Sequence, residues 1–216
     1  MNPPDITTAF VCVLRSGGDY KPGHVIALGR QIKKHTTVPY RFICYTDIPP
    51  GVDLEGAEIV PLIDNYPGWW SCVEIWRTVG PVVAMGLDTM ILGNIDDLIN
   101  YAQSMRPDEF GLLKSWFKQG GYINGIQVWN GDWSWLYDQF DYDKALKEFR
   151  GDENYLLDAL TKIDFPVKAI QADVPGIRNC KGWKRGRDTR ILVFYGPFKP
   201  WKSGYLWRKE MKRVAV

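Results

Sequence analysis

Residues 81–98 read PVVAMGLDTMILGNIDDL and carry the clearest structural signal in the chain. Pro81 opens an apolar run, Val82 to Met85, that predicts a short buried strand. The run stops at Gly86, and Asp88 follows two residues later. Because open α/β sheets bind ligands beyond the carboxyl ends of their strands, Asp88 is a candidate binding residue, although an aspartate that only caps a turn has the same pattern.

A second apolar patch, Met90 to Leu92, follows this turn. Asn94 comes directly after the patch and predicts the N-cap of a helix over Ile95 to Asn100. Asp96 and Asp97 fall in the first turn of that helix, where carboxylates favour the helix N-terminus. The stretch therefore predicts a strand, a polar turn, a second apolar segment and a helix in succession.

The segments before this stretch predict the opening of an α/β sheet. They are strands at Ile6 to Leu14, Tyr40 to Tyr45 and Ala57 to Leu62, a loop at Arg15 to Lys21, and a helix at His24 to His35 behind Pro22. The order strand, loop, helix, strand is typical of a nucleotide-binding half-sheet. The loop has neither GxGxxG nor GxxxxGK[ST], so neither a dinucleotide site nor a phosphate-binding P-loop is indicated.

The other predicted elements include a strand with a break. They are helices at Cys72 to Val79, 133–140 behind Asp132, and Glu153 to Lys162 behind Asp152, and strands at Phe110 to Leu113, Tyr122 to Trp129, Val167 to Ile170 and Ile191 to Tyr195. The second of these strands is interrupted at Asn124-Gly125, and glycine inside a strand often marks the close approach of a ligand. Asn124 serves either this break or a site, and Asp152 is either a helix N-cap or a polar group of the same site.

The composition predicts one folded domain over residues 1–216. Hydrophobic residues make up 45% and charged residues 24% of the chain, which is typical of a globular protein. The four cysteines are scattered without a CxxC pair, so zinc is disfavoured and reduced thiols are expected. Apolar runs stay well short of the ~20 residues of a membrane helix, and the N-terminus lacks a signal-peptide pattern. We therefore expect a cytoplasmic protein.

Charge is uneven along the chain, although the total is only +2. Residues 178–213 hold 12 Lys and Arg against two acids, which leaves a net charge of −8 on the rest. This basic, aromatic segment, about residues 178–216, predicts an anionic partner such as a diphosphate, a membrane surface or a nucleic acid. A solvated basic face is the alternative interpretation.

Seven segments stand in a particular order along the chain. They are FVCVLRSGGDYKPGHVIALGRQIKKHT, YRFICYTD, PGWWSCVEIW, GLDTMILGNIDDL, YINGIQVWN, GDENYLL and FYGPFKPW. Together they resemble the glycogenin-like glycosyltransferases, most of all the small bacterial and bacteriophage-type members. The fourth matches the family's Asp-x-Asp-Thr segment, and the last resembles its terminal Phe-His-Gly-x-x-Lys-Pro-Trp motif. Each segment alone is weak, whereas seven in the right order are specific. The resemblance implies the α/β GT-A fold, with a Rossmann-like mixed central sheet flanked by helices.

The resemblance also implies transfer of a sugar from a nucleotide donor, most often a UDP-sugar, with retention of the anomeric configuration. Seven residues of this sequence match positions that contact the donor in the family. By resemblance, Tyr20 stacks on the base, Arg15 lies near the donor, Asp88 meets the metal or the ribose, Asn124 and Gly125 line the sugar site, Asp152 contacts the sugar, and Lys199 holds the diphosphate. Asp152 and Asn124 are the catalytic candidates among them.

Three residues depart from the family pattern. Gly86 replaces the first aspartate of the metal motif, and Tyr195 replaces the metal-binding histidine of the last motif. Cys72 stands where the family commonly has a lysine before the central strand. A hard cation wants about six oxygen ligands, so Asp88 alone predicts only a weakened site for Mn²⁺ or Mg²⁺.

The departing nucleoside diphosphate carries negative charge that a metal or a set of cations must meet. With a weak metal, the basic segment supplies the candidate cations, which are Lys181, Lys184, Arg185 and Lys199. Lys181 also falls where the family tends to place a lysine, in the segment Asn179-Cys180-Lys181. Each charge-assisted contact to phosphate contributes about 1.5–3 kcal/mol, so two or three such contacts offset much of a lost metal contact.

Two other functions fit the sequence. The two lost metal ligands favour a catalytically inactive relative that binds nucleotide or sugar. Aromatic residues that alternate with Lys and Arg near the C-terminus favour binding to single-stranded nucleic acid, or an enzyme whose acceptor is DNA or a membrane lipid. These aromatics are Trp183, Trp201, Tyr205 and Trp207. The acceptor itself, whether glycan, lipid, protein or DNA, is not predicted.

Overall fold

The computed structural model describes residues 7–49, 51–180 and 188–202. In this part of the chain the strands are β1 (Thr8–Leu14), β2 (Tyr40–Thr46), β3 (Glu58–Pro61), β4 (Val82–Met85), β5 (Thr89–Ile91), β6 (Phe110–Lys114), β7 (Tyr122–Trp129), β8 (Val167–Ala169), β9 (Ile177–Asn179) and β10 (Ile191–Val193). The helices are α1 (Pro22–His35), α2 (Asp96–Ser104), α3 (Trp135–Asp138), α4 (Tyr142–Glu148), α5 (Asp152–Lys162) and α6 (Ile170–Asp173), with 3₁₀ helices at Gly68–Arg77 and Pro200–Lys202. The predicted cations Lys181, Lys184 and Arg185, and the aromatics Trp183, Tyr205 and Trp207, lie outside the described residues.

Seven strands form one mixed sheet in the order β3-β2-β1-β4-β7-β6-β8. Strand β7 runs antiparallel to both of its neighbours, whereas the other neighbouring pairs are parallel. The predicted Rossmann-like mixed sheet is therefore confirmed. Chain order reverses between β1 and β4, and such a reversal is where open α/β sheets form a ligand-binding crevice.

Both faces of the sheet are covered, which explains why its central strands are continuous apolar runs in the sequence. Phe10, Cys12 and Leu14 of β1 pack with residues of α1 and α2 on one face. Ala9 and Val11 point to the opposite face, where aromatic side chains dominate the core. The largest buried side chains of that face are Trp76, Trp129, Trp133 and Phe110. Much of the aromatic content therefore serves packing.

The candidate site residues come from one edge of the large sheet. The carboxyl ends of β1, β2 and β4 meet there, because these strands are parallel and adjacent. The amino end of β7 lies at the same edge, since it runs antiparallel to β4 with Ile126 opposite Met85. The topology therefore brings Arg15, Asp88 and Asn124 to one side of the molecule although they are remote in sequence.

A smaller sheet, β5-β10-β9, holds the chain beyond β4. Strand β4 leads through Gly86 into β5, and β10 pairs antiparallel with β5. The Phe194 N–H donates to the Asp88 carbonyl oxygen at 3.3 Å, and the Thr89 N–H donates to that of Gly86 at 3.0 Å. The turn that carries Asp88 is thus held on one side by its own backbone bond and on the other by the smaller sheet.

Two predicted helix starts differ in the structure. Helix α2 begins at Asp96, and its N-cap is Ile95 and not Asn94. The Asn94 side chain, one residue earlier, still accepts a hydrogen bond from the Asp96 N–H at 3.0 Å. Asp152 is not the N-cap of α5, because Gly151 holds that position and Asp152 is the first helical residue. The carboxylate of Asp152 therefore has another role.

Other predicted elements differ in type or extent. The helix predicted from Cys72 is a 3₁₀ helix that begins earlier, at Gly68. The sequence pattern does not predict α4, α6 or β9, and Ile170, predicted as the end of a strand, is the first residue of α6. Strand β9 has only three residues, two of them polar, so it carries no periodic signal. None of the helices in the described ranges combines the length and apolar character that a bilayer crossing needs.

Candidate functional site

Tyr20, Asp88 and Lys199 meet at the sheet edge. Asp88 Oδ2 accepts a hydrogen bond from Lys199 Nζ at 2.7 Å and another from the Tyr20 hydroxyl at 3.0 Å. The Lys199 ammonium also donates to the Tyr20 hydroxyl oxygen at 3.0 Å. The side chains of Lys199 and Asp88 are only 14% and 13% exposed, so water screens this ion pair less than a surface pair.

Each member of this cluster is placed by a different local structure. Asp88 lies in the fixed turn between β4 and β5. Tyr20 lies in the loop between β1 and α1, where Gly17 turns the chain with a φ of +84°. Lys199 precedes the 3₁₀ helix Pro200–Lys202, and its carbonyl oxygen accepts the Lys202 N–H at 3.0 Å. A loop, a turn and a C-terminal segment therefore converge on one carboxylate.

Aromatic rings surround the Tyr20 phenol. The ring of Tyr20 meets His24 and Trp201 edge-on, at centroid distances of 6.0 and 5.6 Å, and His24 stacks on Trp201 at 4.3 Å. Burial, with the Asp88 charge as the second cause, raises the pKa of Tyr20 far above its usual value. The phenol therefore stays protonated as a donor to Asp88. The expected stacking of Tyr20 on a nucleotide base stays a prediction.

Two glycines leave room for the site. A Cβ on Gly86 would lie 2.8 Å from Asp88 Oδ1, and a Cβ on Gly125 would lie 2.9 Å from Val193 Cγ1. The Gly86 N–H donates to the Gly125 carbonyl oxygen at 3.3 Å, which joins the two strand ends. Gly86 thus has a packing reason in this chain, because a side chain there would push against the Asp88 carboxylate.

Asn124, Asp152 and Glu153 form a second cluster, where the amino end of β7 meets the start of α5. Asn124 Nδ2 donates to Asp152 Oδ2 at 2.7 Å. The Asn124 backbone N–H donates to Glu153 Oε2 at 3.1 Å. One asparagine therefore binds two consecutive carboxyl groups.

The geometry of β7 explains why the Asn124 N–H is available. The pairing of β7 with β6 shifts register, so that Leu112 faces Gln127 while the next residue, Leu113, faces Ile123. Asn124, Gly125 and Ile126 fall within this irregularity. The predicted interruption of the strand is thus a local break in its pairing with β6, and the backbone at Asn124 bonds to a side chain instead.

Within the described part of the chain, no lysine or arginine forms an ion pair with the carboxyl groups of this second cluster, and both groups are partly desolvated. Burial raises the pKa of Asp152 to about 7, the negative charge of Glu153 adds to the rise, and the Asn124 hydrogen bond opposes it. Burial also raises the pKa of Glu153 above its usual value, although the hydrogen bond from the Asn124 N–H lowers it in part. Asp152 is therefore able to hold or release a proton near neutral pH.

Cys72 lies near a carboxylate of each cluster. Its thiol pKa is raised mainly by burial, then by the charges of Asp152 and Asp88. Both carboxylates therefore lie within electrostatic reach of the thiol. The resemblance leads one to expect a lysine here, and a thiol in its place brings no positive charge to Asp88 or Asp152.

Arg15 is at the same edge but in a separate ion pair. Its guanidinium bonds to Asp47 at 3.0 Å and to the Asn65 side chain. Asp47 also accepts from the Ser16 backbone N–H at 2.7 Å and from its hydroxyl at 2.5 Å. These contacts tie the β1 loop to the end of β2. A direct contact of Arg15 with a donor stays a prediction.

The set of potential metal ligands is sparse. Among the residues that the structure describes, no group of three or more His, Cys, Asp or Glu is placed to hold a metal ion. Tyr195 packs its ring edge-on against Phe117 at 4.9 Å. Asp88, the predicted metal ligand, is bonded to the Lys199 ammonium. These residues do not fit a divalent ion, which needs several oxygen ligands.

The structure therefore brings the predicted residues together in two groups. Asp88, Tyr20 and Lys199 form the first, and Asn124 and Asp152 belong to the second with Gly125 beside them. Glu153 was not among the predicted site residues, although its position directly after Asp152 at a predicted helix start was the available signal. Lys181 lies outside the described residues.

Comparisons with known proteins identify the fold. No family model matches the sequence, and no curated protein matches it by sequence. The structure is similar to that of the glycosyltransferase GlyE of Streptococcus pneumoniae TIGR4, with a TM-score of 0.67 and 15% identity over 98% of this chain and 61% of that one. The chain has the GT-A fold.

Two further structures have the same architecture. The galactosyltransferase LgtC, solved with donor and acceptor sugar analogs, aligns with a TM-score of 0.65 and 10% identity over 94% of both chains. The bifunctional glycosyltransferase WbbM aligns with a TM-score of 0.63 and 13% identity over all of this chain and 51% of that one. The chain thus spans nearly all of LgtC but only about three fifths of GlyE. At these identities the likeness establishes the fold, and function has to be argued from the site.

Proposed function

We propose that this protein is a glycosyltransferase that moves a sugar from a nucleotide-sugar donor, a UDP-sugar by resemblance, to an acceptor. One observation carries the proposal. The Asp88–Tyr20–Lys199 cluster lies where the strand order of a GT-A sheet reverses, and in such sheets this is the place for a nucleotide ligand. Packing alone gives no reason for a largely buried lysine and aspartate from remote segments to meet at that edge.

The charges of the first cluster suit the leaving group. When the bond between the sugar and the diphosphate breaks, negative charge develops on the departing oxygen. The Lys199 ammonium is pre-positioned at 2.7 Å from Asp88 and brings positive charge to this edge. A fixed cation in a partly desolvated crevice stabilises such charge without reorganising. Asp88 in turn holds the lysine in place and presents an acceptor to a ribose hydroxyl.

The second cluster suits the sugar. Asp152 and Asn124 offer an acceptor and a donor to sugar hydroxyls, and Asp152 can exchange a proton near neutral pH because its pKa is about 7. The two clusters are joined by the Gly86–Gly125 backbone bond. A donor bound across both would place its diphosphate near Lys199 and its sugar near Asp152. Retention of the anomeric configuration is proposed on the resemblance alone.

We further propose that the reaction depends weakly, or not at all, on a divalent metal. Gly86 and Tyr195 supply no carboxylate or imidazole where the family has them. Asp88 is neutralised by Lys199, and a metal would have to displace that ammonium. The lysine therefore takes the place of the cation as counter-charge to the diphosphate.

Calorimetric titration tests this function. UDP and a panel of UDP-sugars are titrated into the protein in buffer with excess Mn²⁺, and again with EDTA, because occupancy of a metal site is set by the free metal concentration relative to its Kd. We expect binding in both conditions with Kd values that agree within about threefold, a difference of less than about 0.7 kcal/mol. Failure of every UDP compound to bind would contradict the function, and binding that requires Mn²⁺ would contradict metal independence.

A second candidate is a catalytically inactive relative that binds nucleotide or sugar. The observation that favours it is the Lys199–Asp88 ion pair. In this pair the carboxylate that would bind a metal and the ammonium that would bind a diphosphate already neutralise each other. Release of UDP from the bound UDP-sugar, followed over hours with a coupled phosphatase assay, separates the two. Binding without any release, with or without added glycans, would favour the inactive relative. Nucleic-acid binding through residues 178–216 stays a prediction, since most of that segment is not described.

A further inference from the structure

Trp69 differs from the other tryptophans in its exposure. It is 60% exposed, whereas every other tryptophan that the structure describes is buried or half-buried. It is the second residue of the 3₁₀ helix Gly68–Arg77, which also carries Cys72. A large ring that is left in water beside a candidate site is a candidate contact surface, because covering it with a ligand is favourable.

The indole lies against the start of α5. A Cβ on Gly151 would lie 3.3 Å from Trp69 Nε1 and 3.6 Å from its Cδ1. Gly151 immediately precedes Asp152, so the ring borders the cluster that Asn124 forms with Asp152 and Glu153. Because Gly151 has no side chain, the indole can pack against the backbone here, and a side chain at this position would push the ring away.

An exposed indole beside carboxyl and amide groups is suited to a sugar. A pyranose ring has an apolar face of C–H groups and a rim of hydroxyl groups. The indole covers the apolar face, while planar carboxyl and amide groups exchange hydrogen bonds with the hydroxyls. In the proposed function Asp152 and Asn124 contact the donor sugar, and Glu153 beside them supplies a hydrogen-bond acceptor to a second sugar.

We propose that Trp69, together with Glu153, forms a subsite for a neutral pyranose of the acceptor next to the donor sugar at Asp152, so that the acceptor is a carbohydrate. This inference rests on the proposed transferase function. Charge favours a neutral sugar over a nucleic acid at this place. The negative charge of Glu153, joined by that of Asp152 when it is ionised, repels phosphates, and the basic groups that bind a nucleic-acid backbone are not among the contacts of this cluster in the described residues.

Saturation-transfer NMR with simple glycosides tests the subsite. The probes are the methyl α- and β-glycosides of D-glucose, D-galactose and N-acetyl-D-glucosamine, each measured with and without UDP. The variants are Trp69→Ala, Trp69→Phe and, as a control, Ile163→Ala, a residue 43% exposed at the opposite end of α5. We expect at least one glycoside to bind, with a Kd that rises about tenfold in Trp69→Ala and less than about threefold in Trp69→Phe.

A further variant moves the ring without removing it. Gly151→Ala is expected to weaken glycoside binding by about threefold, between the effects of the two Trp69 variants, because its Cβ presses on the indole. Thermal unfolding of each variant shows whether the fold is kept. Ile163→Ala should bind the glycoside as the wild type does.

Three outcomes would overturn the subsite. They are wild-type affinity in Trp69→Ala, the absence of glycoside binding to the wild type, and binding of the oligonucleotide dT12 that is lost in Trp69→Ala. UDP affinity is measured on the same samples. If UDP fails to bind, the transferase function is contradicted while the glycoside result still decides the subsite. If UDP binds and Trp69→Ala changes nothing, the subsite alone is wrong.

Discussion

Asp88 and Asp152 lie at the same sheet edge in opposite electrostatic surroundings. Asp88 faces the Lys199 ammonium and the Tyr20 hydroxyl. Asp152 faces the neutral amide of Asn124 and the carboxyl of Glu153, and burial raises its pKa to about 7. A cation offsets the cost of desolvation at the first carboxylate and does not at the second. One residue type therefore serves a charged contact in one place and proton exchange in the other.

This difference divides the proposed reaction between two ends of the crevice. The end with Lys199 has the positive charge that a diphosphate needs. The end with Asp152 has carboxyl groups and an amide, which suit neutral hydroxyl groups. In many active sites two carboxyl groups have different roles because their surroundings give them different pKa values. The following variants test whether the separation holds.

The largest expected effect is on stability in Asp152→Asn. Below about pH 4 the carboxyl is protonated in both the folded and the unfolded state. As pH rises from about 4 to about 7, the unfolded chain loses its proton while the folded protein keeps it, so the free energy of unfolding falls. The loss reaches at most about 4 kcal/mol above pH 7, and the amide removes it. Urea unfolding of both proteins between pH 4.5 and 8 measures the difference.

A matched control for this variant is Asp138→Asn, which changes an exposed aspartate at the end of α3. Its stability should follow that of the wild type at every pH. If the free energy of unfolding of Asp152→Asn changes with pH as that of the wild type does, the surroundings of Asp152 do not raise its pKa, and the contrast with Asp88 is wrong.

Lys199→Ala should weaken UDP binding by about 10- to 100-fold, because it removes a charge-assisted contact of about 1.5–3 kcal/mol. It also frees Asp88, so Mn²⁺ should raise UDP affinity more in the variant than in the wild type. Calorimetry with and without Mn²⁺ measures both effects. The control is Lys202→Ala, an exposed lysine three residues further on. Equal losses in the two lysine variants would mean that general positive charge, and not the Asp88 pair, binds the diphosphate.

Gly86→Ala should cost about 1–2 kcal/mol of stability, because the added Cβ would lie 2.8 Å from Asp88 Oδ1 and force the carboxylate away from Lys199. The free energy of unfolding in urea measures the cost. Gly18→Ala is the comparison, since a Cβ there meets nothing within 4 Å. If both variants are equally stable, the Asp88 turn is looser than its contacts indicate.

The smallest effect is expected from Tyr20→Phe. Loss of the hydroxyl removes hydrogen bonds to Asp88 and Lys199 and should lower stability by about 0.5–1.5 kcal/mol. UDP affinity should change less than about threefold, because the ring is kept, whereas Tyr20→Ala should lose more. Thermal unfolding and UDP titration of both variants measure this. Equal UDP affinities of the Phe and Ala variants would argue against stacking by the ring.

Much of the fold follows from local sequence. The apolar run Val82 to Met85 predicts β4 with its observed bounds, since a strand that is buried on both faces has to be apolar throughout. Helix α1 follows from helical spacing behind Pro22. The sequence defines the start of α5 less well, because a polar residue before a helix has the same pattern whether it caps the helix or serves a site. The sequence also shows the break at Asn124-Gly125, but not that Glu153 binds the backbone there, because the two positions are 29 residues apart.

The sequence by itself determined roughly where strands end, because the hydrophobic periodicity of a strand and the residues that favour a turn depend only on near neighbours in the chain. The strand-end pattern made Asp88 a candidate, and the resemblance to a known family made Lys199 one. Only the tertiary structure decided that they form a pair, since 111 residues separate them and the β10–β5 pairing brings their segments together. The pKa of Asp152 likewise depends on burial under remote segments, and no local pattern encodes the desolvation that raises it.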